Sequence, residues 1–163
     1  MNEKTSRMMF ALLRSAVCST AITKEERSLF NKDMLPEMLN IAKKNDVINI
    51  LAFALKENGL IKKECKELDD EISISVYRYA RLDYELKRIC STLETAKIPF
   101  IPLKGSVIRD YYPEPWMRTS ADIDVLIHSS DIETAKTYLI NNLKYKYVGI
   151  HEYEISFYTL SGC

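Results

Sequence analysis

The sequence predicts an α+β fold: an N-terminal helical bundle, then a small mixed β-sheet with flanking helices. Three observations lead there. The first 98 residues contain one glycine, Gly59, and one proline, Pro36, and their apolar residues recur at three-and-four spacing. From Pro99 onward the texture changes to short apolar runs bounded by proline, glycine and serine. At 163 residues, 47% hydrophobic and 28% charged, the chain is globular material long enough for one core, or one core and a helical appendage.

The elements follow in order. Met8, Leu12, Leu13 and Ala16 share one face of a first helix. Asp33 is suited to cap a second, which carries Pro36 in its first turn and continues through Met38, Leu39 and Ala42. Asp46 is suited to cap the next, with Val47, Ile50, Leu51 and Leu55 inward, and Asn58 with Gly59 stops it. A long helix is expected over 69–96, its inward positions being Ile72, Val76, Tyr79, Leu82, Leu86, Ile89 and Leu93. Residues 99–103 read as a strand, 107–112 as a short helix and 113–117 as a rigid loop, because Pro113 and Pro115 bar helix continuation. Residues 123–127 read as a buried strand. Ser129 or Ser130 caps a helix reaching Asn142, with Ile132, Ala135, Tyr138 and Leu139 inward. Residues 145–150 and 153–158 alternate like strands, and 161–162 look like a turn.

The boundary between helical region and core is therefore expected between residues 1–97 and 98–163. The second half reads β-α-β-α-β-β and stops in a turn with no strand after it. An unpaired sheet edge is a liability, so the chain is expected to be a fragment truncated at its C-terminal side.

Composition excludes several function classes. Lys and Arg number 23 and Asp and Glu number 23, so generic DNA binding is not expected. No run of about 18 apolar residues exists, so no membrane-spanning helix is expected. The apolar run from Met8 to Leu13 is broken by Arg14 and reads as helix, not as a secretory leader. Cys18, Cys65, Cys90 and Cys163 show neither paired spacing nor a nearby histidine, which argues against a disulfide framework or a zinc site. Reduced thiols and a cytoplasmic location are the expectation.

The chemistry concentrates in Lys104, Gly105 and Ser106, and in Arg118, Asp122 and Asp124. On a strand, residues two apart face the same way, so Asp122 and Asp124 are expected side by side. Adjacent carboxylates repel unless a cation lies between them. A hard divalent ion, Mg2+ (or Mn2+), suits that place, since it takes one or two carboxylates and fills its shell with water and phosphate oxygens. Gly105 and Ser106 follow a strand and open a helix, where backbone N–H groups and a positive helix end receive phosphate. Lys104 adds a cation, with its side chain toward the site or away from it. Arg118 binds a phosphate or orients Asp122. A phosphate cradle on one strand end and a metal pair on the next make two halves of a nucleoside-triphosphate site.

This arrangement resembles the DNA polymerase beta-like nucleotidyltransferase superfamily, and more closely its branch known as the uncharacterised nucleotidyltransferase family. The matching residues are Leu103-Lys104-Gly105, Tyr112-Pro113, Arg118 and Asp122-Ile123-Asp124. The resemblance implies a nucleotidyltransferase core in which Gly105 and Ser106 contact phosphate and Asp122 and Asp124 bind metal and are catalytic. Lys104 and Arg118 join the phosphate-binding set. It implies transfer of a nucleoside monophosphate from a nucleoside triphosphate such as ATP to a hydroxyl acceptor, whether small molecule, protein or RNA. Two departures stand out. Fifteen residues separate Ser106 from Asp122, more than in many superfamily members. The superfamily's third carboxylate has only Glu152 and Glu154 as candidates, and is expected on a strand beyond Ser161 and Gly162. The alternative is a nucleotide-binding or helical interaction module without turnover.

Plainer roles stand beside these. Arg118 pairs with Asp110 or Glu114; His128 is a surface or capping residue; His151 lies on an ordinary strand face. Trp116, Tyr111 and Tyr112 stack on a base or pack the rigid loop onto the sheet. Tyr77, Tyr79 and Tyr84 are helical core or helix surface, and the charged run 62–67 is solvated.

Overall fold

The three-and-four spacing near the N-terminus produces α1, Glu3–Val17, with Met8, Met9, Leu12 and Ala16 buried along one face. The computed structural model describes residues 3–62, 64–151 and 154–158. α2, Lys24–Leu29, starts with a capping box that the periodicity alone does not reveal: Glu26 N–H donates to Thr23 Oγ1 while Thr23 N–H donates to the Glu26 carboxylate. Arg14 of α1 holds that same carboxylate with one guanidinium nitrogen, at 3.0 and 2.8 Å to its two oxygens.

α3, Leu35–Lys44, and α4, Ile48–Glu57, form where apolar spacing predicts them, but neither expected aspartate caps its helix. Asp33 lies in a 3-10 turn, Lys32–Met34, where its N–H donates to Asn31 Oδ1. Pro36 then begins α3 without a side-chain cap. Asp46 has φ of 53° and so does not adopt the extended backbone of a cap; Val47 takes the N-cap position. The stop signal acts as read: Asn58 terminates α4 and Gly59 follows at φ +63°.

These helices surround a core of Met8, Leu12, Met38, Leu51 and Leu55, with Met117 buried in the same cluster. α5, Lys66–Thr95, enters this core through Leu68 and Ile72. Val76, expected inward, is exposed, as are Tyr77 and Tyr84. The last turns of this 30-residue helix place Ile89 and Leu93 in a second cluster.

That second cluster builds the remaining elements. β1, Phe100–Pro102, pairs antiparallel with β2, Val125–Ile127, and Phe100, Val125 and Ile127 pack with Leu93, Ile98 and Ala135. α6, Gly105–Ile108, follows β1; α7, Ile132–Leu143, follows β2. β3, Lys146–His151, and β4, Glu154–Tyr158, form a second antiparallel ladder with a bulge between Tyr147 and Gly149. The α+β class holds. Among the described residues the sheet is two antiparallel pairs and not one mixed sheet, because no strand bridges β1–β2 to β3–β4.

The chain divides into two compact units: residues 1–80 with 108–121, and residues 81–107 with 122–163. One division between the units falls within α5. In the second unit the Tyr145 hydroxyl donates to Glu85 Oε2 at 2.6 Å, and Arg88 pairs with the same carboxylate.

Candidate active site

β1 stops at Pro102, whose ring nitrogen has no hydrogen to donate to the ladder. One bond continues past it: Leu103 N–H donates to the Asp124 carbonyl at 2.9 Å. This bond sets the turn after β1 beside the residue that opens β2. Lys104 makes that turn with φ of 46°, a left-handed conformation that crowds its Cβ against the following carbonyl. Its Nζ lies 3.2 Å from Asp124 Oδ2. The Lys104 side chain is 73% exposed and that of Asp124 24%. An ion pair this wet contributes at most about 1 kcal/mol.

Gly105 and Ser106 then open α6, as the sequence suggests, and both are buried. Their helix is a single four-residue turn. The N–H of Ser106 donates to the Leu103 carbonyl and that of Val107 to the Lys104 carbonyl. These two amides are therefore spent within the turn, unlike the open donors expected at a helix start. The Ser106 side chain differs. It is 8% exposed, and its Oγ has no hydrogen-bond partner. Burying a hydroxyl without a partner costs about 1–3 kcal/mol, and such groups mark strain or a ligand position.

Asp122 is exposed and precedes the β2 strand, which begins at Val125 and not at Ile123. The ladder cannot extend to Asp122, because its would-be partner strand has already turned away at Lys104. Strand alternation therefore does not set the two carboxylates side by side. Among the described residues no group of three or more His, Cys, Asp or Glu gathers. Asp122 and Asp124 each offer only carboxylate oxygens. Such donors fit magnesium or manganese, which complete their shells with water and phosphate, and do not fit a four-ligand structural zinc.

Arg118 belongs to the other compact unit. Its guanidinium donates to the Thr119 carbonyl rather than pairing with Asp110 or Glu114. The loop before it is fixed by a residue that the sequence reading passed over. Asn49 of α4 is fully buried and donates to the carbonyls of Trp116 and Met117. The one available signal was an amide inside an otherwise apolar run, Ile48 to Leu51. Trp116 packs edge-on against Phe53 at 5.6 Å, and Tyr112 joins the same cluster. Both are thus packed on helices, not on the sheet; Tyr111 is 85% exposed.

His128 acts as a cap: its Nδ1 accepts from Ser130 N–H and lies 2.8 Å from Ser130 Oγ, so neither serine caps the turn before α7. Of the third-carboxylate candidates, Glu152 lies outside the described residues and Glu154 opens β4 opposite His151. Cys18, Cys65 and Cys90 are free thiols; burial and the nearby Glu94 push the Cys90 thiol above its ordinary pKa. Cys163 and the turn expected at 161–162 lie outside the described residues. No described helix is long and apolar enough to cross a membrane.

No curated protein and no solved structure matches the chain. One family model does, and its span contains the elbow at Lys104–Gly105–Ser106, Arg118 and both aspartates. Over residues 32–159 this chain belongs to the uncharacterised nucleotidyltransferase family.

Proposed function

We propose that this protein is a metal-dependent nucleotidyltransferase that moves a nucleoside monophosphate from a nucleoside triphosphate to a hydroxyl acceptor. The observation that carries this reading is the elbow at Lys104–Gly105–Ser106 held against Asp124 by the Leu103 N–H bond. It brings a cation, a buried unpartnered hydroxyl and a carboxylate to one end of a two-stranded ladder.

Asp122 and Asp124 hold the divalent ion, Mg2+ or Mn2+. When bound, that ion neutralises charge on the phosphate oxygens and supports in-line displacement. Ser106 Oγ donates to a phosphate oxygen, which satisfies its own buried hydroxyl. Lys104 offsets phosphate charge. Gly105 lets the phosphate chain approach the backbone closely. In the reaction the acceptor oxygen bonds to the α-phosphorus and loses its proton to solvent. The α–β bridging bond breaks, and pyrophosphate leaves. ATP is the first donor to test. The acceptor is a hydroxyl of a small molecule, a protein or an RNA.

The test follows pyrophosphate release from each triphosphate, with magnesium and a panel of hydroxyl acceptors. Magnesium-dependent release that falls roughly a hundred-fold or more in Asp124→Asn is the expected result. A folded Asp124→Asn variant with wild-type release overturns the proposal.

A further inference from the structure

We propose that Lys104 is the resident counter-ion of Asp124 and leaves it for the triphosphate, so that divalent cation and triphosphate bind as a coupled pair. The inference rests on the site reading above and adds an order to its occupation.

The argument starts from where Lys104 is anchored. Its backbone is held by the φ of 46° and by the neighbouring Leu103 N–H bond to Asp124. Its side chain is not held: it is 73% exposed, and a lysine stem rotates freely about its carbon–carbon bonds. The ammonium therefore swings from a fixed root. At 3.2 Å from Asp124 Oδ2 it supplies positive charge to this carboxylate. A dication arriving alone meets a carboxylate already paired and a like charge next to it. A triphosphate arriving alone meets an occupied ammonium and the Asp124 carboxylate. Together each removes the other's obstacle: the ammonium turns to phosphate and Asp124 is released to the dication. Coupling of this kind is reciprocal by linkage. The two chemistries lie within one turn of chain, since Ser106 Oγ is the buried unpartnered hydroxyl two residues after Lys104.

The experiment measures two affinities separately on the full chain: Mn2+ alone, by the spin resonance of free Mn2+, and tripolyphosphate alone in metal-free buffer, by calorimetry. In Lys104→Met, Mn2+ binding tightens by roughly two- to five-fold, while tripolyphosphate binding weakens by roughly ten-fold. Lys104→Arg keeps the charge and brings both values back toward wild type. Lys104→Gly, which suits the left-handed backbone, gives the same opposite shifts and serves if the methionine variant fails to fold. Affinities that move in the same direction, or a Mn2+ affinity that does not move, overturn the inference. Asp124→Asn separates this failure from that of the site itself. If Asp124→Asn abolishes Mn2+ binding while Lys104→Met changes nothing, the counter-ion role is lost and the metal site stands. If wild type binds no Mn2+, or Asp124→Asn binds it normally, both readings fall.

Discussion

The side-chain amide of Asn49 donates to the main-chain carbonyl of Met117 at 3.2 Å, joining α4 to a loop 68 residues later in the chain. A second bond, to Trp116 at 3.1 Å, uses the same nitrogen. A loop with two prolines has few partners of its own for its carbonyls, and α4 provides them from inside the core. Asn49→Ala should lower stability by about 1–3 kcal/mol, because both carbonyls lose a buried donor. Asn49→Asp should be at least as costly, since a carboxylate cannot donate. Urea unfolding monitored by circular dichroism measures both; a variant as stable as wild type would show that the loop holds itself.

Ser106 separates folding from binding. Its hydroxyl is buried without a partner, so Ser106→Ala removes a desolvated group and should leave stability unchanged or raise it by up to about 1 kcal/mol. The same change should weaken triphosphate binding by roughly ten-fold if the hydroxyl meets phosphate. Calorimetric titration paired with thermal unfolding checks the two signs. A loss of stability with no loss of affinity would make Ser106 a packing residue.

Tyr145 predicts a pH dependence. Burial, first, and its hydrogen bond to the Glu85 carboxylate, second, raise its pKa above the ordinary tyrosine value of 10. The protonated form is the one favoured by folding. Its contribution is therefore complete below pH of about 10 and fades above that, where the unfolded chain gives up the phenolic proton first. Tyr145→Phe should cost about 1 kcal/mol at neutral pH, and the gap from wild type should narrow as pH rises past 10. Unfolding curves at pH 8 and at higher pH decide this; a gap that widens contradicts it.

Two glycines give opposite expectations. Gly59 has φ of +63° with nothing within 4 Å of an added Cβ, so Gly59→Ala is penalised by backbone strain alone, by about 1 kcal/mol. Gly149 has the same open space and no left-handed backbone, so Gly149→Ala should be tolerated in the β3 ladder. Comparing the denaturation midpoints of the two variants is sufficient. Equal midpoints would mean that conformation at Gly59 is not what matters.

Signals that act within a few residues are legible in the sequence. The apolar face of α1, the stop at Asn58 and Gly59, and the strand-to-helix elbow at Gly105 and Ser106 each depend on neighbours in the chain. Neither Asp33 nor Asp46 caps a helix, because Asn31 caps the turn that holds Asp33 and Asp46 takes a left-handed backbone. Val76 carries the right spacing for burial, yet spacing does not say which turns of a 30-residue helix find a core to enter.

By itself the sequence determined the α+β class and the nucleotidyltransferase family of residues 32–159, since periodicity, turn chemistry and a short acid-and-glycine motif are near-neighbour properties. Tertiary structure alone decided that Lys104 meets Asp124, that Ser106 is sealed without a partner, and that Asn49 holds Met117. Those outcomes depend on which distant segments close on one another. That choice comes from burial and hydrogen-bond satisfaction across the chain, which no local window contains.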